Sequence, residues 1–268
     1  MKIITFAAIK GGVGKTTLSY NFGEWLAKQD KRVLLVDADS QCSLSQTYGI
    51  YNTKQNIADI FESNNNRAQD LIIQQTPTLS ILPGSVHLDS TEFSLETRTN
   101  KELIMYMWLW DNYNYLKKFD YVIIDCHPDF SIVTQNMIVV SDIVYSPIEP
   151  GQYSYNAKDM INARMDLFKK QLVDPKPSKD GKRESYVTAK LYFIGNRIKP
   201  NTKSSHDFVA EMNKDKQTAV LIPEKELLNK STLFQEPLVN MQNDHKLVQK
   251  NKQFFKELFA SFEKMAEL

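Results

Sequence analysis

The stretch from Lys10 to Thr17 constrains this chain more than any other part of its sequence. It has the sequence Lys-Gly-Gly-Val-Gly-Lys-Thr-Thr, and it lies between a β-branched apolar run and a stretch with helical spacing. Glycines allow backbone amides to turn inward and approach an anion closely, where a Cβ atom would clash. Together with the positive end of the following helix, those amides form a site for a polyanion. The sequence therefore predicts a strand, a phosphate-binding loop and a helix in that order.

Two lysines and a threonine in this loop indicate a bound nucleotide and a metal ion. In the pattern G-x-x-x-x-G-K-[ST], Lys15 supplies a charge for the β- and γ-phosphates, and the Thr16 hydroxyl is placed to bind Mg²⁺. The first glycine of that pattern is replaced here by Ile9, and a second lysine, Lys10, begins the motif instead. The predicted phosphate-binding set is Lys10, Gly11, Gly12, Val13, Gly14, Lys15, Thr16 and Thr17.

Apolar runs and helical patterns alternate over the whole chain and predict an α/β fold. Buried parallel strands are continuously apolar and rich in β-branched residues. The segments of this kind are 3–8, 32–37, 120–125 and 191–196, with weaker ones at 143–147, 219–223 and 78–83. Helical patterns cover 16–28, 131–140, 155–171 and a long stretch from about 244. We expect a doubly wound, mainly parallel sheet with helices on both faces, in one domain over residues 1–268 without an N-terminal helix-turn-helix domain.

Three aspartates follow two of these runs, where ligands of open α/β sheets gather. Asp37 and Asp39 end the run Leu-Leu-Val-Asp-Ala-Asp, and Asp125 ends Tyr-Val-Ile-Ile-Asp. An apolar strand that finishes in aspartate downstream of a phosphate loop is typical of a Walker B carboxylate, which holds Mg²⁺ through a water molecule. We assign that role to Asp125.

Composition narrows the classes of partner. The chain has 33 basic and 32 acidic side chains, a net charge of +1, so DNA binding requires a local patch. Cys42 and Cys126 are too few and too far apart for a disulfide framework or a zinc site. No run approaches the roughly 18 apolar residues that span a bilayer, which favours a cytoplasmic protein. Residues 173–188, with two prolines, a glycine and several charges, predict an exposed basic loop.

These motifs together resemble the ParA/MinD superfamily of deviant Walker A ATPases, and most closely the short ParA-type DNA-partitioning ATPases. The phosphate loop 10–17 and the segment 36–41 (VDADSQ) carry most of the resemblance, although Ser40 replaces the usual proline. Weaker matches follow at 79–96, 146–160, 195–201 and 221–231. The resemblance covers nearly the whole chain, with specificity that falls toward the C-terminus.

The resemblance implies roles for individual residues. Lys10 would be the signature lysine that crosses a dimer interface to the partner's ATP, and Asp39 would position the attacking water. Asp37 would support the water shell of the metal ion. The loop residues implied to frame the adenine are Asn196, Arg197 and Pro223. The implied cofactors are ATP and Mg²⁺, and the implied assembly is an ATP-dependent homodimer that binds duplex DNA without sequence preference and is stimulated by a ParB-like adaptor.

The chain also departs from the family pattern. His127 stands where the family commonly has proline, and its chemical role is open. The C-terminal arginine segment that some members use on DNA is absent. The expected DNA-contacting lysines are Lys199, Lys203, Lys246, Lys250 and Lys252, with Lys179, Lys182 and Arg183 of the 173–188 loop as a second choice.

Two other branches of the superfamily compete with partition. A MinD-like membrane-cycling ATPase ends in a basic amphipathic helix, whereas the amphipathic tail 252–268 holds three lysines and three glutamates. That neutral helix is expected to pack on the sheet. A redox protein like the nitrogenase iron protein needs a thiolate pair for an iron–sulfur cluster, and neither cysteine has that context. We therefore expect a nucleoid-associated cytoplasmic partition ATPase that does not bind membranes.

Overall fold

One eight-stranded sheet organises the chain. The computed structural model describes residues 1–51, 53–63, 66–151, 154–178 and 180–268, without the side chains of residues 154 and 155. The strands are β1 (Lys2–Phe6), β2 (Val33–Ala38), β3 (Ile73–Gln74), β4 (Leu79–Leu82), β5 (Tyr121–Cys126), β6 (Ile143–Ile148), β7 (Lys190–Ile198) and β8 (Thr218–Pro223). Their order is β3-β4-β2-β5-β1-β6-β7-β8, and every neighbouring pair is parallel except β3 with β4.

Helices connect the strands and cover both faces. The first nine are α1 (Lys15–Lys28), α2 (Ser43–Gln46), α3 (Ala58–Glu62), α4 (Ala68–Leu71), α5 (Leu88–Leu95), α6 (Ile104–Asp111), α7 (Tyr113–Leu116), α8 (Ile132–Val139) and α9 (Ser154–Gln171). The C-terminal third adds α10 (Lys203–Met212), α11 (Glu226–Leu233), α12 (Leu238–Met241), α13 (His245–Lys250) and α14 (Lys252–Glu267). A short 3₁₀ helix (Lys101–Leu103) precedes α6.

Alternation along the strands divides the core into two apolar layers. In β1, Ile3 packs into one layer, whereas Ile4 and Phe6 pack into the other. Successive side chains of a strand point to opposite faces, so a buried strand must be apolar at consecutive positions. The first layer includes residues of α6, α8, α9 and α10, and the second includes residues of α1, α11, α12 and α14. The predicted doubly wound sheet with helices on both faces is confirmed.

Helix α1 illustrates how local sequence produces this layering. Leu18, Phe22 and Leu26 recur every four residues and are at most 2% exposed, so they form one apolar stripe toward the sheet. Lys28 lies in the last turn, where a positive charge is favourable next to the helix carbonyl end. The helix starts immediately after the phosphate loop, and its N-terminus therefore points at that loop.

The structure corrects the sequence prediction at the C-terminus. The single helix predicted from about residue 244 is two helices, α13 and α14, which meet at Asn251. Asp244 caps α13 by accepting hydrogen bonds from the amides of Lys246 and Leu247, at 2.9 and 3.1 Å. The apolar face of α14 is buried against the second layer, with Phe254, Phe255, Leu258, Phe262 and Met265 at most 6% exposed.

The segment 173–188 folds back on itself. Val173 and Ser185 form an antiparallel bridge, and the amide of Tyr186 donates to the carbonyl of Leu172. The described residues 175–178 and 180–184 are mostly exposed, whereas Val187 is 3% exposed and belongs to the core. Lys179 lies outside the described residues. Among the helices that the structure describes, none is long and apolar enough to cross a membrane.

Candidate nucleotide-binding site

The predicted phosphate loop lies at the carboxyl edge of the sheet, between β1 and α1. Gly12 and Gly14 have φ values of 76° and 93°, in the left-handed region that residues with a Cβ rarely adopt. A Cβ on Gly14 would lie 2.5 Å from Nδ2 of Asn196, so any other residue at this position would have to displace that side chain. Gly14 also caps α1, and its carbonyl accepts from the amide of Leu18 at 3.0 Å. The loop therefore has the backbone geometry that an oligophosphate site requires.

The two lysines of the loop differ in their surroundings. Lys15 is 7% exposed and lies close enough to Asp125 for their charges to interact. Lys10 is half exposed, and its Nζ donates to Oε1 of Glu149 at 2.6 Å. A buried lysine next to the helix N-terminus fits a phosphate bound in the same subunit, whereas an exposed lysine at the loop entrance is free to contact a second molecule once it leaves Glu149.

Two aspartates meet because β2 and β5 are neighbours. Asp37 and Asp125 are paired in register across the two strands, and both are fully buried. Oδ2 of Asp37 accepts from the amide and the hydroxyl of Ser45, each at 2.7 Å, and Oδ1 accepts from the amide of Asp39 at 3.3 Å. Ser45 in turn accepts from the amide of Gly84 at 2.9 Å. Burial raises the pKa of Asp37 to about 6, and these hydrogen bonds oppose the shift.

Asp125 is in a different position. Within the described residues, neither of its carboxylate oxygens forms a hydrogen bond of good geometry, although the Thr16 hydroxyl lies close enough to lower its pKa. Burial raises the pKa of Asp125 to about 8, although the nearby charge of Lys15 lowers it. An ionised carboxylate without partners is costly to bury, so this group is poised to accept a cation or a cation-bound water. The arrangement fits Mg²⁺.

The groups around Asp125 fit Mg²⁺ that is held partly by water and phosphate. They do not fit a metal ion that is bound by protein side chains alone. In the part of the chain that the structure describes, no group of three His, Cys, Asp or Glu residues is arranged to hold a metal ion. Mg²⁺ typically keeps several waters and binds through one or two carboxylates together with phosphate oxygens of the substrate. Thr16, Asp125 and a phosphate would meet that need, whereas Asp37 is already occupied by Ser45 and Asp39.

Asp39 directly follows β2, next to the buried pair of Asp37 and Asp125. It is 7% exposed, and its Oδ1 accepts from the amide of Gln41 at 2.9 Å. Ser40, which stands where the family has proline, is buried, and its hydroxyl has no hydrogen-bond partner among the described residues.

The predicted adenine residues meet the phosphate loop at the end of β7. Nδ2 of Asn196 donates to the carbonyl of Val13 at 2.8 Å, while its buried Oδ1 has no partner in the described residues. Arg197 has a φ of 54°, and Pro223 ends β8 opposite Ile198. The cavity between Gly14 and this loop has a volume of about 20 Å³.

His127 forms a local pair instead of contacting a site residue in the described structure. Its Nδ1 lies 3.0 Å from Oδ2 of Asp129, whose other oxygen accepts from Ser131 and Thr134. The next residue, Pro128, packs against Gly11 of the phosphate loop. This geometry gives His127 a role in shaping the loop after β5.

The structure does not bring the predicted DNA-contacting lysines together in one layer. Lys199 pairs with Glu224 at 3.7 Å, and Lys203 begins α10, which packs in the first apolar layer. The lysines 246, 250 and 252 lie on α13 and at the start of α14, and α14 packs in the second layer. All five lysines are exposed, and all belong to the end of the sheet that holds β7 and β8.

Sequence reasoning missed three residues that shape the site. Glu149 binds Lys10, Ser45 holds Asp37, and Gly84 lies so close that a Cβ there would be 2.9 Å from Cγ of Asp37. Glu149 had a usable signal, since it directly follows the apolar run of β6 at the carboxyl edge. The contacts of Ser45 and Gly84 depend on tertiary packing between residues 39 positions apart.

A parallel sheet with a glycine loop before its first helix, a buried loop lysine and a carboxylate on the neighbouring strand defines the class of P-loop nucleoside triphosphatases. A model of the AAA domain family matches residues 1–176. Soj, the sporulation initiation inhibitor protein of Bacillus subtilis, is 31% identical over 173 residues, which cover 64% of this chain and 67% of Soj. The chain spans about half the length of some curated relatives, 54% for uncharacterised proteins of Mycobacterium tuberculosis.

Solved structures with the same fold are found among proteins of lower sequence identity. A Borrelia burgdorferi protein described as a plasmid partition protein, bound to AMPPNP, is 24% identical with a TM-score of 0.77 over 99% of this chain and 98% of its own. The complex of Cyanothece McdA with ATP has a TM-score of 0.81 at 19% identity and covers 99% of this chain and 96% of its own. At these identities the likeness concerns the fold. The chain belongs to the AAA domain family and, within it, to the ParA-type P-loop ATPases.

Proposed function

We propose that this chain is a Mg²⁺-dependent ATPase of DNA partition, which forms an ATP-sandwich homodimer and binds DNA in that state. The observation that carries the proposal is the contrast between its two loop lysines. Lys15 is buried beside Asp125, whereas Lys10 is half exposed at the entrance of the loop. One lysine serves the nucleotide of its own subunit, and the other reaches the nucleotide of a second copy.

The residues divide the chemistry among them. Backbone amides of 11–17 and the ammonium of Lys15 bind the β- and γ-phosphates. Thr16 and Asp125 hold Mg²⁺, which supplies charge neutralisation at the transferred phosphoryl group. Asp39 orients the attacking water, for which full proton abstraction is unnecessary because the transition state is loose. Asp37 supports this site by fixing the loop that carries Asp39.

The trans lysine links hydrolysis to assembly. Charge develops on the equatorial oxygens of the transferred group, and a cation from a second subunit stabilises it as an arginine finger does. Without the partner's Lys10, each subunit binds ATP but lacks one charge of the complete site. Dimerisation therefore switches the ATPase on, and hydrolysis resets the protein to the monomer.

The distribution of charge supports DNA as the surface that the dimer binds. Residues 176–268 hold 17 basic and 12 acidic side chains, whereas residues 1–175 hold 16 basic and 20 acidic ones. Residues 190–268, which form β7, β8 and α10 to α14, hold 13 basic and 10 acidic side chains, and the preceding segment 176–189 adds 4 basic and 2 acidic ones. One subunit offers few phosphate contacts, but two linked subunits bind with a high effective local concentration. The dimer is therefore the DNA-binding form, and the protein is cytoplasmic and nucleoid-associated.

An adaptor of the ParB kind stimulates hydrolysis in this proposal and recognises the specific DNA site, because the dimer itself binds DNA without sequence preference. The MinD-like alternative loses support because the apolar face of α14 is already buried in the core. A helix that enters a membrane must expose such a face.

The experiment that tests the proposal compares DNA with membranes in one hydrolysis-deficient protein. Asp39→Ala with Mg·ATP should bind fluorescent duplex DNA in anisotropy titrations, without sequence preference, and should show no flotation with anionic liposomes. The same protein with ADP should leave the DNA free. Flotation with liposomes, combined with no DNA binding at tens of micromolar protein, would reverse the assignment in favour of the membrane.

A further inference from the structure

The lysine that should contact a second copy is occupied within its own chain. Nζ of Lys10 donates to Oε1 of Glu149 at 2.6 Å. Glu149 directly follows β6, the strand beside β1, so both residues lie at the carboxyl edge of the sheet. The side chains are 50% and 25% exposed, so the pair is open to solvent and can separate without disturbing the core.

Glu149 also contacts the loop that is proposed to frame the base. Nη1 of Arg197 lies 3.6 Å from Oε2 of Glu149. One carboxylate therefore lies between the entrance of the phosphate loop and the predicted adenine loop. The cavity beside Lys10, Ser146 and Glu149 has a volume of about 10 Å³, which leaves no room for a small-molecule ligand of its own.

We propose that Glu149 is a positioning residue that holds Lys10 in its own subunit until the triphosphate of a second copy replaces the carboxylate. The inference rests on the proposed function, because it requires that Lys10 acts across a dimer. In a subunit without a partner, Lys10 stays on Glu149 at the loop entrance. In the sandwich dimer, the more highly charged phosphates of the partner displace Glu149 and take the ammonium.

The size of the effect follows from the exposure of the pair. An exposed ion pair changes an equilibrium by about 1.4-fold to 5-fold. A two-fold symmetric dimer breaks one such pair in each subunit, so the effects multiply. Removal of the carboxylate charge should therefore tighten the ATP-dependent dimer by about 2-fold to 25-fold.

The test uses the full chain with Asp39→Ala, which keeps ATP from being consumed. The dimer dissociation constant of Asp39→Ala and of Asp39→Ala/Glu149→Gln is measured by sedimentation velocity at saturating Mg·ATP. We expect the Glu149→Gln protein to dimerise at least about 2-fold more tightly. Structural damage does not produce such a gain. Unchanged or weaker dimerisation overturns the proposal.

A matched control separates this pair from a general change in net charge. Asp70→Asn removes the same charge from the exposed Arg67–Asp70 pair, at 2.8 Å, on α4. The dimer of Asp39→Ala/Asp70→Asn should match that of Asp39→Ala. Equal tightening by Asp70→Asn would show that total charge, and not the release of Lys10, controls assembly, and would overturn the proposal.

A second measurement, the rate of lysine acetylation, distinguishes a failure of the Glu149 proposal from a failure of the proposed function. If Asp39→Ala does not dimerise with Mg·ATP, the proposed function fails, and the pairing is then tested in the monomer. The rate of Lys10 acetylation by acetic anhydride is followed by mass spectrometry, with Lys28 as internal reference. Glu149→Gln should accelerate acetylation at Lys10 and leave Lys28 unchanged. If Lys10 is acetylated at the same rate with Glu149 and with Glu149→Gln, then Glu149 does not hold Lys10. The proposal is then wrong whether or not the proposed function is correct.

Discussion

Two regions of the molecule differ in how exposed their functional side chains are. One is the carboxyl edge of the sheet around the phosphate loop, called here the phosphate edge, and the other is the β7–β8 end of the sheet. At the phosphate edge, Lys15, Asp37 and Asp125 are at most 7% exposed, and backbone geometry fixes their positions. At the β7–β8 end, the lysines proposed to contact DNA are all exposed and lie on the loop after β7 and on the helices α10, α13 and α14. The first region works by placing a few atoms accurately, and the second by summing charge over a surface. Single substitutions should therefore have large effects in the first region and small, additive ones in the second.

The largest effect is expected at the residue that orients the attacking water. Asp39→Ala should lower the rate of ATP hydrolysis by about 100-fold to 10,000-fold, the usual contribution of a positioned acid–base group. ATP should still bind, because the phosphate contacts are assigned to residues 11–17 and not to Asp39. Single-turnover hydrolysis and calorimetry measure the two quantities. Asp89→Ala, an exposed carboxylate in the first turn of α5, serves as the control. Normal turnover in Asp39→Ala would move the role elsewhere, and Asp37 would be tested next.

The next effect is on nucleotide affinity. Lys15→Ala should weaken ATP binding by about 30-fold to 1,000-fold, since it removes a buried cation from the β- and γ-phosphates. Lys28→Ala changes the other end of the same helix and should bind ATP normally. Calorimetry on both variants gives the comparison directly. Near-normal affinity in Lys15→Ala would contradict the phosphate-loop assignment.

The sequence predicted the first region far better than the second. Residues 10–17 could be located because a phosphate site needs glycines at positions where φ is positive, a requirement visible in the sequence itself. Asp125 could be predicted because it ends an apolar run. The contact of Gly84 with Ser45 could not, because it joins residues 39 positions apart, and Glu149 was overlooked although it directly follows the apolar run of β6. The break at Asn251 was missed because the helical spacing of apolar residues continues across it.

The pH dependence of the free energy of unfolding should reveal how unfavourable it is to bury the ionised carboxylate of Asp125. With a pKa of about 8 in the folded protein, Asp125 retains a proton that the unfolded chain releases near pH 4. The folded state then binds more protons, so this group lowers the free energy of unfolding as pH rises from about 4 to 8. Asp125→Asn should remove that trend and stabilise the nucleotide-free protein by about 1–3 kcal/mol at pH 8. Urea unfolding of both proteins at pH 5 and pH 8 measures the difference.

The same urea unfolding measurement on Asp37→Asn provides the comparison with Asp125→Asn. Both oxygens of Asp37 accept backbone amides, so an amide nitrogen at either position would face an N–H donor. Asp37→Asn should therefore destabilise the protein by about 1–3 kcal/mol, the cost of a buried donor without an acceptor. If Asp125→Asn destabilises the protein as much as Asp37→Asn does, Asp125 has a partner in the folded monomer and the magnesium assignment loses its basis.

The smallest effects belong to the β7–β8 end. Each lysine-to-alanine change among Lys246, Lys250 and Lys252 should reduce the slope of log affinity against log salt by about 0.9 if that lysine neutralises one phosphate. The basal ATPase rate should stay unchanged, since these residues lie outside the phosphate edge. Lys182→Ala in the 173–188 loop is the comparison. A flatter slope for Lys182→Ala alone would transfer the DNA surface to that loop.

The central claim is that Lys10 completes the nucleotide site of a second copy. The most direct measurement is sedimentation velocity of Asp39→Ala and Lys10→Ala/Asp39→Ala, each at saturating Mg·ATP, with ATP binding verified by calorimetry. We expect a dimer for Asp39→Ala and a monomer with bound ATP for the double variant. A double variant that binds ATP and dimerises as tightly as Asp39→Ala would contradict the account, because assembly would then proceed without the lysine in trans.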